Sequence, residues 1–158
     1  MDDAESEAAR WAGMPTWLLG QTAQHAARLV ADGFSSVGAR GYHYRLLATL
    51  DDFGPASQAS LGRRSGIHLS DMVATINELA ELGFVERAAD PSDRRRNVIS
   101  LTTAGKRHLR RLESKLAAAQ EEILAPLSAE ERRRLTALLS TVLDHHNRQA
   151  GVPDERWR

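Results

Sequence analysis

The sequence contains no cysteine, few aromatic residues and no long apolar run. The lack of cysteine excludes a disulfide framework, a thiolate metal site and a cysteine nucleophile. Aromatic residues make up only 5% of the 158 positions. Residues 11–27 contain no Asp, Glu, Lys or Arg, but Pro15, Gln21, Gln24 and His25 interrupt them. This stretch is too polar to span a bilayer, so we expect no membrane segment.

A secretory signal is also missing from the beginning of the chain. The first ten residues, MDDAESEAAR, are acidic and lack a basic region followed by an apolar core. We therefore expect a cytoplasmic protein. The length and the apolar content of 42% are typical of one globular domain with a core of its own.

The charges are balanced in number but not in position. The chain has 21 basic and 21 acidic residues, and 19 of the basic residues are arginine. Residues 55–111 hold 10 basic and 6 acidic side chains, whereas the segments on either side have a small acidic excess. A local excess of positive charge is what a surface that faces phosphates requires. The distribution therefore favours nucleic-acid binding by the middle of the chain.

The middle segment, residues 66–101, predicts a helix followed by a β-hairpin. Gly83 follows the helical pattern as a glycine beyond a helix C-terminus does. Phe84-Val85 and Val98-Ile99 are short strand-forming runs, and the polar residues 88–97 between them contain Pro, Asp and Ser in turn-forming places. The apolar face of the helix recurs at three- and four-residue spacing, at Leu69, Met72, Val73, Ile76, Leu79 and Ala80.

This layout is that of a winged helix, and its residues resemble a known family. LAELGFVERAADPSDRRRNVISLTTAGKRHL, residues 79–109, resembles the segment from recognition helix to wing in MarR-family transcriptional regulators. The Asp-x-x-Asp-x-Arg pattern of the family's wing is present as Asp90, Asp93 and Arg95, and residues 101–105 match the exit into the next helix. The motif resemblance covers about residues 55–111, and it implies a DNA-binding transcriptional regulator.

The whole chain then predicts a mainly α fold with a small β wing. Helices are predicted at residues 16–34, 42–53, 58–64, 69–82, 102–124 and 128–147. The resemblance implies that the terminal helices interlock with those of a second subunit, whereas periodicity alone leaves a monomeric bundle open. We divide the chain into an acidic flexible tail (1–13), an N-terminal dimerisation helix (14–38), a winged helix-turn-helix region (39–101), C-terminal dimerisation helices (102–148) and a flexible tail (149–158).

The recognition-helix candidate offers polar side chains opposite its apolar face. Ser70 and Thr75 can donate to phosphates or base edges, and Ala74 lets the helix enter the major groove deeply. Asp71 can accept from a cytosine amino group or neutralise the helix dipole. His68 opens the helix and can contact phosphate. An ordinary solvated helix face is the alternative for all five residues.

The wing and the preceding helix supply the arginines. By resemblance, Arg95 enters the minor groove and Asp93 orients its guanidinium, while Arg94 and Arg96 face phosphates. A solvated charge run is the alternative for the three arginines. Arg63 and Arg64 end the third helix, where they either bind phosphate or favour the helix C-terminus.

Six histidines raise the question of zinc. His25 and His43 are expected to point inward on neighbouring helices, with His108 or the His145-His146 pair as a third ligand, but none has the spacing of a metal motif. We predict no metal and no cofactor, and a zinc-responsive regulator of the same fold is the alternative. The resemblance implies instead a small aromatic anion between the dimer helices and the winged helix, with candidate lining residues Trp17, His25, Tyr42, His43 and Arg45.

Two other classes of function explain the residues less well than a DNA-binding regulator does. Asp144, His145 and His146 suggest acid–base chemistry, but successive helical residues diverge by about 100° and do not converge on one reacting atom. We therefore predict that the protein is not an enzyme. A helical dimer that binds another protein is the remaining alternative, and it leaves the arginine wing unexplained.

Overall fold

The computed structural model describes residues 9–152 as six α-helices around a small sheet. The predicted helices are all present, with ends within a few residues of those expected from the sequence. In chain order the elements are α1 (Pro15–Ser35), α2 (Gly41–Phe53), β1 (Ala56–Ser57), α3 (Gln58–Ser65), α4 (Leu69–Glu81), β2 (Val85–Ala89), β3 (Asn97–Leu101), α5 (Thr103–Ile123) and α6 (Ala129–Gln149).

The N-terminal segment predicted to be a tail contains a short 3-10 helix, Arg10–Gly13. Trp11 meets Trp17 of α1 edge to face, with 4.3 Å between the ring centroids. Residues 1–8 of this predicted tail, and residues 153–158 of the C-terminal one, lie outside the described residues.

The sheet has three antiparallel strands in the order β1-β3-β2. β2 and β3 form the wing hairpin, in which Arg87 lies opposite Ile99 and Ala89 opposite Asn97. β1 pairs Ala56 with Ile99 on the other side of β3. This strand was not predicted, because two residues are too few to show an alternating pattern. It attaches the wing to the beginning of α3, where Ser57 is the N-cap and its hydroxyl accepts from the Ser60 N–H.

The core lies between the winged helix and α5. Side chains from α2, α3, α4, β3 and α5 are almost fully buried there: Leu46, Leu47, Leu61, Met72, Ile76, Leu79, Ile99 and Leu112. Burying a leucine or isoleucine side chain contributes about 1.5–3 kcal/mol, so this cluster holds α4 against its neighbours.

Two glycines fix the passage from α4 to the wing and from the wing to α5. Gly83 has a φ of 74°, and its N–H donates to the Ala80 carbonyl, so the helix stops where the sequence predicted. Gly105 lies in the first turn of α5, where an added Cβ would lie 2.0 Å from the Phe84 carbonyl oxygen. Only glycine therefore allows α5 to pack this closely on the residue that precedes β2.

The outer faces of α1 and α6 remain uncovered. No residue of α6 is buried, and Leu138 and Val142 are about half exposed. Together the two helices line an open apolar groove of about 510 Å³, formed by Pro15, Leu18, Leu19, Thr22, Ala23, Ala26, Leu135, Leu138, Leu139 and Val142. Among the described residues, no helix combines the length and apolar character needed to cross a membrane.

Candidate nucleic-acid interface

α3, a tight turn and α4 form the helix-turn-helix. α3 ends at Ser65, and the turn is closed by the Ser65 hydroxyl, which accepts from the Ile67 N–H at 3.3 Å. Arg45 of α2 donates to the Ser65 carbonyl at 2.5 Å. This bond ties α2 to the turn, so Arg45, predicted as a ligand residue, has a partner within the winged helix.

The buried face of α4 is rotated from the predicted one. Leu69 and Val73 were expected to point inward but are 68% and 41% exposed. The prediction that Thr75 faces DNA is wrong, because this residue is 1% exposed and its hydroxyl donates to the Asp71 carbonyl at 2.7 Å. That bond satisfies the hydroxyl within the helix, so threonine can occupy a core position beside Met72, Ile76 and Leu79.

The face of α4 that reaches solvent combines small polar and apolar side chains. Ser70 and Ala74 are exposed as predicted, Asp71 is half-buried in the first turn, and His68 is the exposed residue before the helix. The outward Leu69 and Val73 add methyl groups, which suit contact with thymine methyls in a major groove.

A contact between α4 and the wing was not predicted. Arg87 of β2 donates to the Asn77 side-chain oxygen on α4. Both side chains are exposed. The sequence did not indicate this pair, because a separation of ten residues matches no helix or hairpin spacing.

The wing tip is a hydrogen-bonded turn that holds its arginines outward. The Asp90 N–H donates to the Arg96 carbonyl at 2.8 Å, and the Asp90 carboxylate accepts from the Ser92 N–H at 2.9 Å. The bonds from the Ser92 N–H and the Ser92 hydroxyl lower the pKa of Asp90 below its usual range. Arg94, Arg95 and Arg96 are all exposed.

Asp93 contacts different groups from those predicted. Its Oδ1 accepts from the backbone N–H of Arg95 at 3.0 Å, and its Oδ2 lies 3.6 Å from Nε of Arg96. The expected contact with the Arg95 guanidinium is therefore wrong. Asp93 shapes the turn and pairs with Arg96, and the Arg95 side chain has no hydrogen-bond partner among the described residues.

A basic cleft separates the wing from the beginning of α3. It measures about 430 Å³ and is lined by Ser57, Gln58, Ala59, Arg63, Arg96 and Asn97. Arg64 points elsewhere, with its guanidinium carbon 4.5 Å from the ring centroid of Phe53. Arg63 and Arg96 thus face a shared cleft in which one backbone phosphate can meet both charges.

The five predicted ligand residues contact different neighbours within the protomer. Trp17 packs on Trp11, and exposed His25 is 2.7 Å from Arg28 Nη2. On α2, Tyr42 lies 6.0 Å from the Arg45 guanidinium carbon, whereas His43 is buried. Within residues 9–152, no hydrogen bond or aromatic contact joins the two residues of α1 to the three of α2.

Within residues 9–152, the histidines of the zinc alternative are not brought together either. Across the part of the chain that the structure describes, no three His, Asp or Glu side chains are grouped as metal ligands. His25 is exposed rather than inward. His108 is 4% exposed and stacks on Phe84 with 4.2 Å between ring centroids. Burial, followed by repulsion from Arg111 and His43, lowers the pKa of His108, which favours the neutral ring.

The sequence also missed the role of Glu78. Its Oε2 accepts from His43 Nε2 at 2.8 Å and from Arg40 Nη2. The bond from His43, followed by the bond from Arg40, lowers the pKa of Glu78. The separations of 35 and 38 residues explain why no local pattern indicated these contacts.

Comparison with known proteins agrees with this architecture. The family model described as the MarR family matches residues 38–96. A solved protein from Pseudomonas aeruginosa, assigned as a transcriptional regulator, is 31% identical, with 84% of this chain and 99% of that chain covered and a TM-score of 0.72. The PcaV transcriptional regulator from Streptomyces coelicolor is 28% identical, with 85% and 98% covered and the same TM-score, 0.72.

Among curated proteins, the HTH-type transcriptional regulator YcgE of Bacillus subtilis is 30% identical over 95 residues, or 60% of this chain. The match spans 62% of YcgE, which is less than two thirds of that protein's length. The family and the fold are those of transcriptional regulators and not of enzymes. The family match and the full-length similarity to the Pseudomonas protein show that the chain belongs to the MarR family of winged helix-turn-helix transcriptional regulators.

Proposed function

We propose that this protein binds operator DNA as a homodimer and represses transcription. The observation that carries the proposal is that the winged helix presents an exposed face of α4 and a wing with three exposed arginines at its tip. The basic cleft of Arg63 and Arg96 lies beside them. A mutant of Escherichia coli MarR, which is 21% identical at a TM-score of 0.70, was solved with operator DNA. At this identity the likeness supports the fold, and the DNA contacts of this chain rest on its own residues.

In the proposed complex, α4 lies in the major groove and the wing in the adjacent minor groove. Ser70, Ala74 and the exposed apolar residues of α4 face bases, while Arg95 enters the minor groove, where the negative potential is concentrated. Residues 14–38 and 102–148 provide the dimer contacts, which would place two recognition helices about 34 Å apart on a pseudo-palindrome.

The test is a titration of the purified protein with the DNA that flanks its own gene and with a scrambled duplex of equal length. We expect preferential binding to the flanking DNA, with affinity falling steeply as salt rises, because arginines displace counterions from phosphates. Equal affinity for both duplexes would contradict operator recognition. Independence from salt would contradict the arginine contacts.

We further propose that a small aromatic anion releases the DNA. Two relatives support release by a small molecule, and the named ligand of one of them is an aromatic acid. DNA binding by Bordetella bronchiseptica BpsR, 18% identical, is regulated by 6-hydroxynicotinic acid, and PcaV, 27% identical in that form, was solved with its natural ligand. Salicylate added to the DNA titration should shift it toward weaker binding, provided that the anion prefers the conformation that cannot bind DNA. If salicylate and related acids leave the DNA affinity unchanged, the proposed release by an aromatic anion is contradicted.

A further inference from the structure

Glu78 is held by two donors from the beginning of α2. Its Oε2 accepts from both Arg40, the residue before α2, and His43, in the first turn of that helix. The His43 side chain is 5% exposed, whereas those of Arg40 and Glu78 are 61% and 40% exposed. The trio therefore has a buried inner side at His43 and an open outer side at Arg40 and Glu78.

The two donors form a group with the chemistry of a carboxylate site. A guanidinium supplies charge and directed N–H groups, and an imidazole N–H supplies a second bond from a fixed direction. His43 Nε2 faces a carboxylate oxygen, so this nitrogen carries the proton, and the buried Nδ1 has no partner within the described residues. The lowered pKa of Glu78 agrees with a site that stabilises an anion.

The carboxylate that fills this site belongs to the recognition helix. Glu78 follows Ala74 by one turn of α4. Its bonds join α4 to α2, the helix that also holds the turn between α3 and α4 through Arg45. A carboxylate that replaces Glu78 on α2 would release this link and return a free negative charge to a helix that faces phosphates.

We propose that Arg40 and His43 form a binding site for a small monocarboxylate, which Glu78 occupies in the free protein and from which such a ligand displaces it. The consequence for DNA rests on the proposed function, whereas binding of the anion does not. Because Glu78 is tethered beside the site, a free anion binds only to the fraction of molecules in which Glu78 has left.

The first experiment measures benzoate binding without DNA. Benzoate is titrated at constant ionic strength against the full-length protein, with the His43 imidazole signals followed by NMR. Glu78→Ala removes the internal competitor, so it should bind benzoate about tenfold more tightly than wild type, as expected if Glu78 fills the site about nine-tenths of the time. Glu81→Ala is the matched control, because Glu81 is an exposed acid of the same helix.

A double variant separates this site from a general charge effect. Arg40→Ala combined with Glu78→Ala should lose the gain in benzoate affinity, because one of the two donors is gone. Both positions lie at the surface, and His43 remains in place, so the fold is retained. Equal benzoate affinity in wild type and Glu78→Ala would overturn the proposal, as would a gain that persists in the double variant or appears in Glu81→Ala.

The DNA titration distinguishes failure of the site from failure of the proposed function. In wild type, benzoate should weaken binding to the flanking DNA, and in the double variant it should have no effect. Protein that binds benzoate as expected but has no DNA preference would refute the proposed function and leave the site intact. Specific DNA binding that benzoate does not alter, together with no benzoate binding, would refute the site alone.

Discussion

The arginines of the wing tip differ in what holds their side chains. Arg96 has Asp93 beside its guanidinium, whereas Asp93 holds Arg95 only through its backbone N–H. Arg95→Ala therefore removes an exposed charge without breaking the turn. We expect it to weaken binding to the operator by about 1–3 kcal/mol per half-site and to lower the salt dependence by about one phosphate equivalent per subunit.

The control for Arg95 is Arg134→Ala, an exposed arginine on α6 outside the winged helix. It should leave operator binding unchanged. Fluorescence anisotropy at two salt concentrations measures both variants, and thermal unfolding checks that each retains the wild-type fold. If Arg95→Ala binds like wild type, the wing does not enter the minor groove.

His108 gives the stability a pH dependence of defined sign. Burial lowers its pKa below the ordinary value of 6.5, so the unfolded chain binds a proton more readily than the folded one. The free energy of unfolding should therefore decrease as the pH falls from 6.5 toward the folded pKa. His108→Phe retains an aromatic ring against Phe84 and should reduce this loss.

Urea unfolding of wild type and variant at a series of pH values measures the effect. His146→Phe is the control, since His146 is exposed on α6 and its replacement should leave the slope unchanged. If the free energy of unfolding of His108→Phe depends on pH as steeply as that of wild type, groups other than His108 cause the acid sensitivity.

At the scale of elements, replacing a glycine with alanine should have opposite effects on stability in α5 and in α1. Gly105→Ala places a Cβ 2.0 Å from the Phe84 carbonyl oxygen and 2.8 Å from Leu101 Cδ1. Either α5 or the wing must move, so we expect a loss of stability of about 1–3 kcal/mol, typical of overpacking. Gly20→Ala in α1 meets no atom within 4 Å and should stabilise the helix by about 0.5–1 kcal/mol.

Denaturant unfolding of the two variants under identical conditions tests the pair. A neutral Gly105→Ala would mean that the contact between α5 and the wing is adjustable. In that case the close packing of Gly105 on Phe84 would not determine the position of the wing.

The elements that the sequence predicted are those whose signals are local. Helical periodicity and the stop at Gly83 both depend on residues a few positions apart, and the structure contains both. The two-residue β1 was not predictable, because its pairing with β3 joins residues more than forty positions apart.

The site was less predictable than the fold for the same reason. A period of 3.6 residues locates an apolar face only approximately, which is why Val73 and Thr75 were assigned to the wrong sides of α4. The bonds of Glu78 with Arg40 and His43 come from tertiary packing and leave no pattern in the chain. Exposure of Ser70, Ala74 and the wing arginines was predictable, and their contact with DNA stays a prediction.

For the molecule as a whole, the groove between α1 and α6 predicts a stable dimer. A protomer that leaves Leu138 58% exposed and Val142 49% exposed gains by covering them with a second copy. Sedimentation at micromolar concentration should give twice the 17.4 kDa mass of one chain. Leu138→Glu should shift the mass toward one chain, because it places a charge among apolar groups.

Ser140→Glu is the matched control, since it adds the same charge to an exposed position of α6 that does not line the groove. It should remain dimeric. A wild-type protein that sediments as one chain while preferring a palindromic site would contradict the proposed assembly.

If a second copy of the chain covers the apolar groove of α1 and α6, the assembly has a consequence for gene dosage. When most chains are unpaired, the amount of dimer follows the square of the chain concentration, so halving synthesis lowers it about fourfold. The promoter would then respond to the number of copies of the regulator with a threshold. Unpaired chains would also offer their exposed leucines to chaperones and proteases, which would keep the surplus low and the threshold sharp.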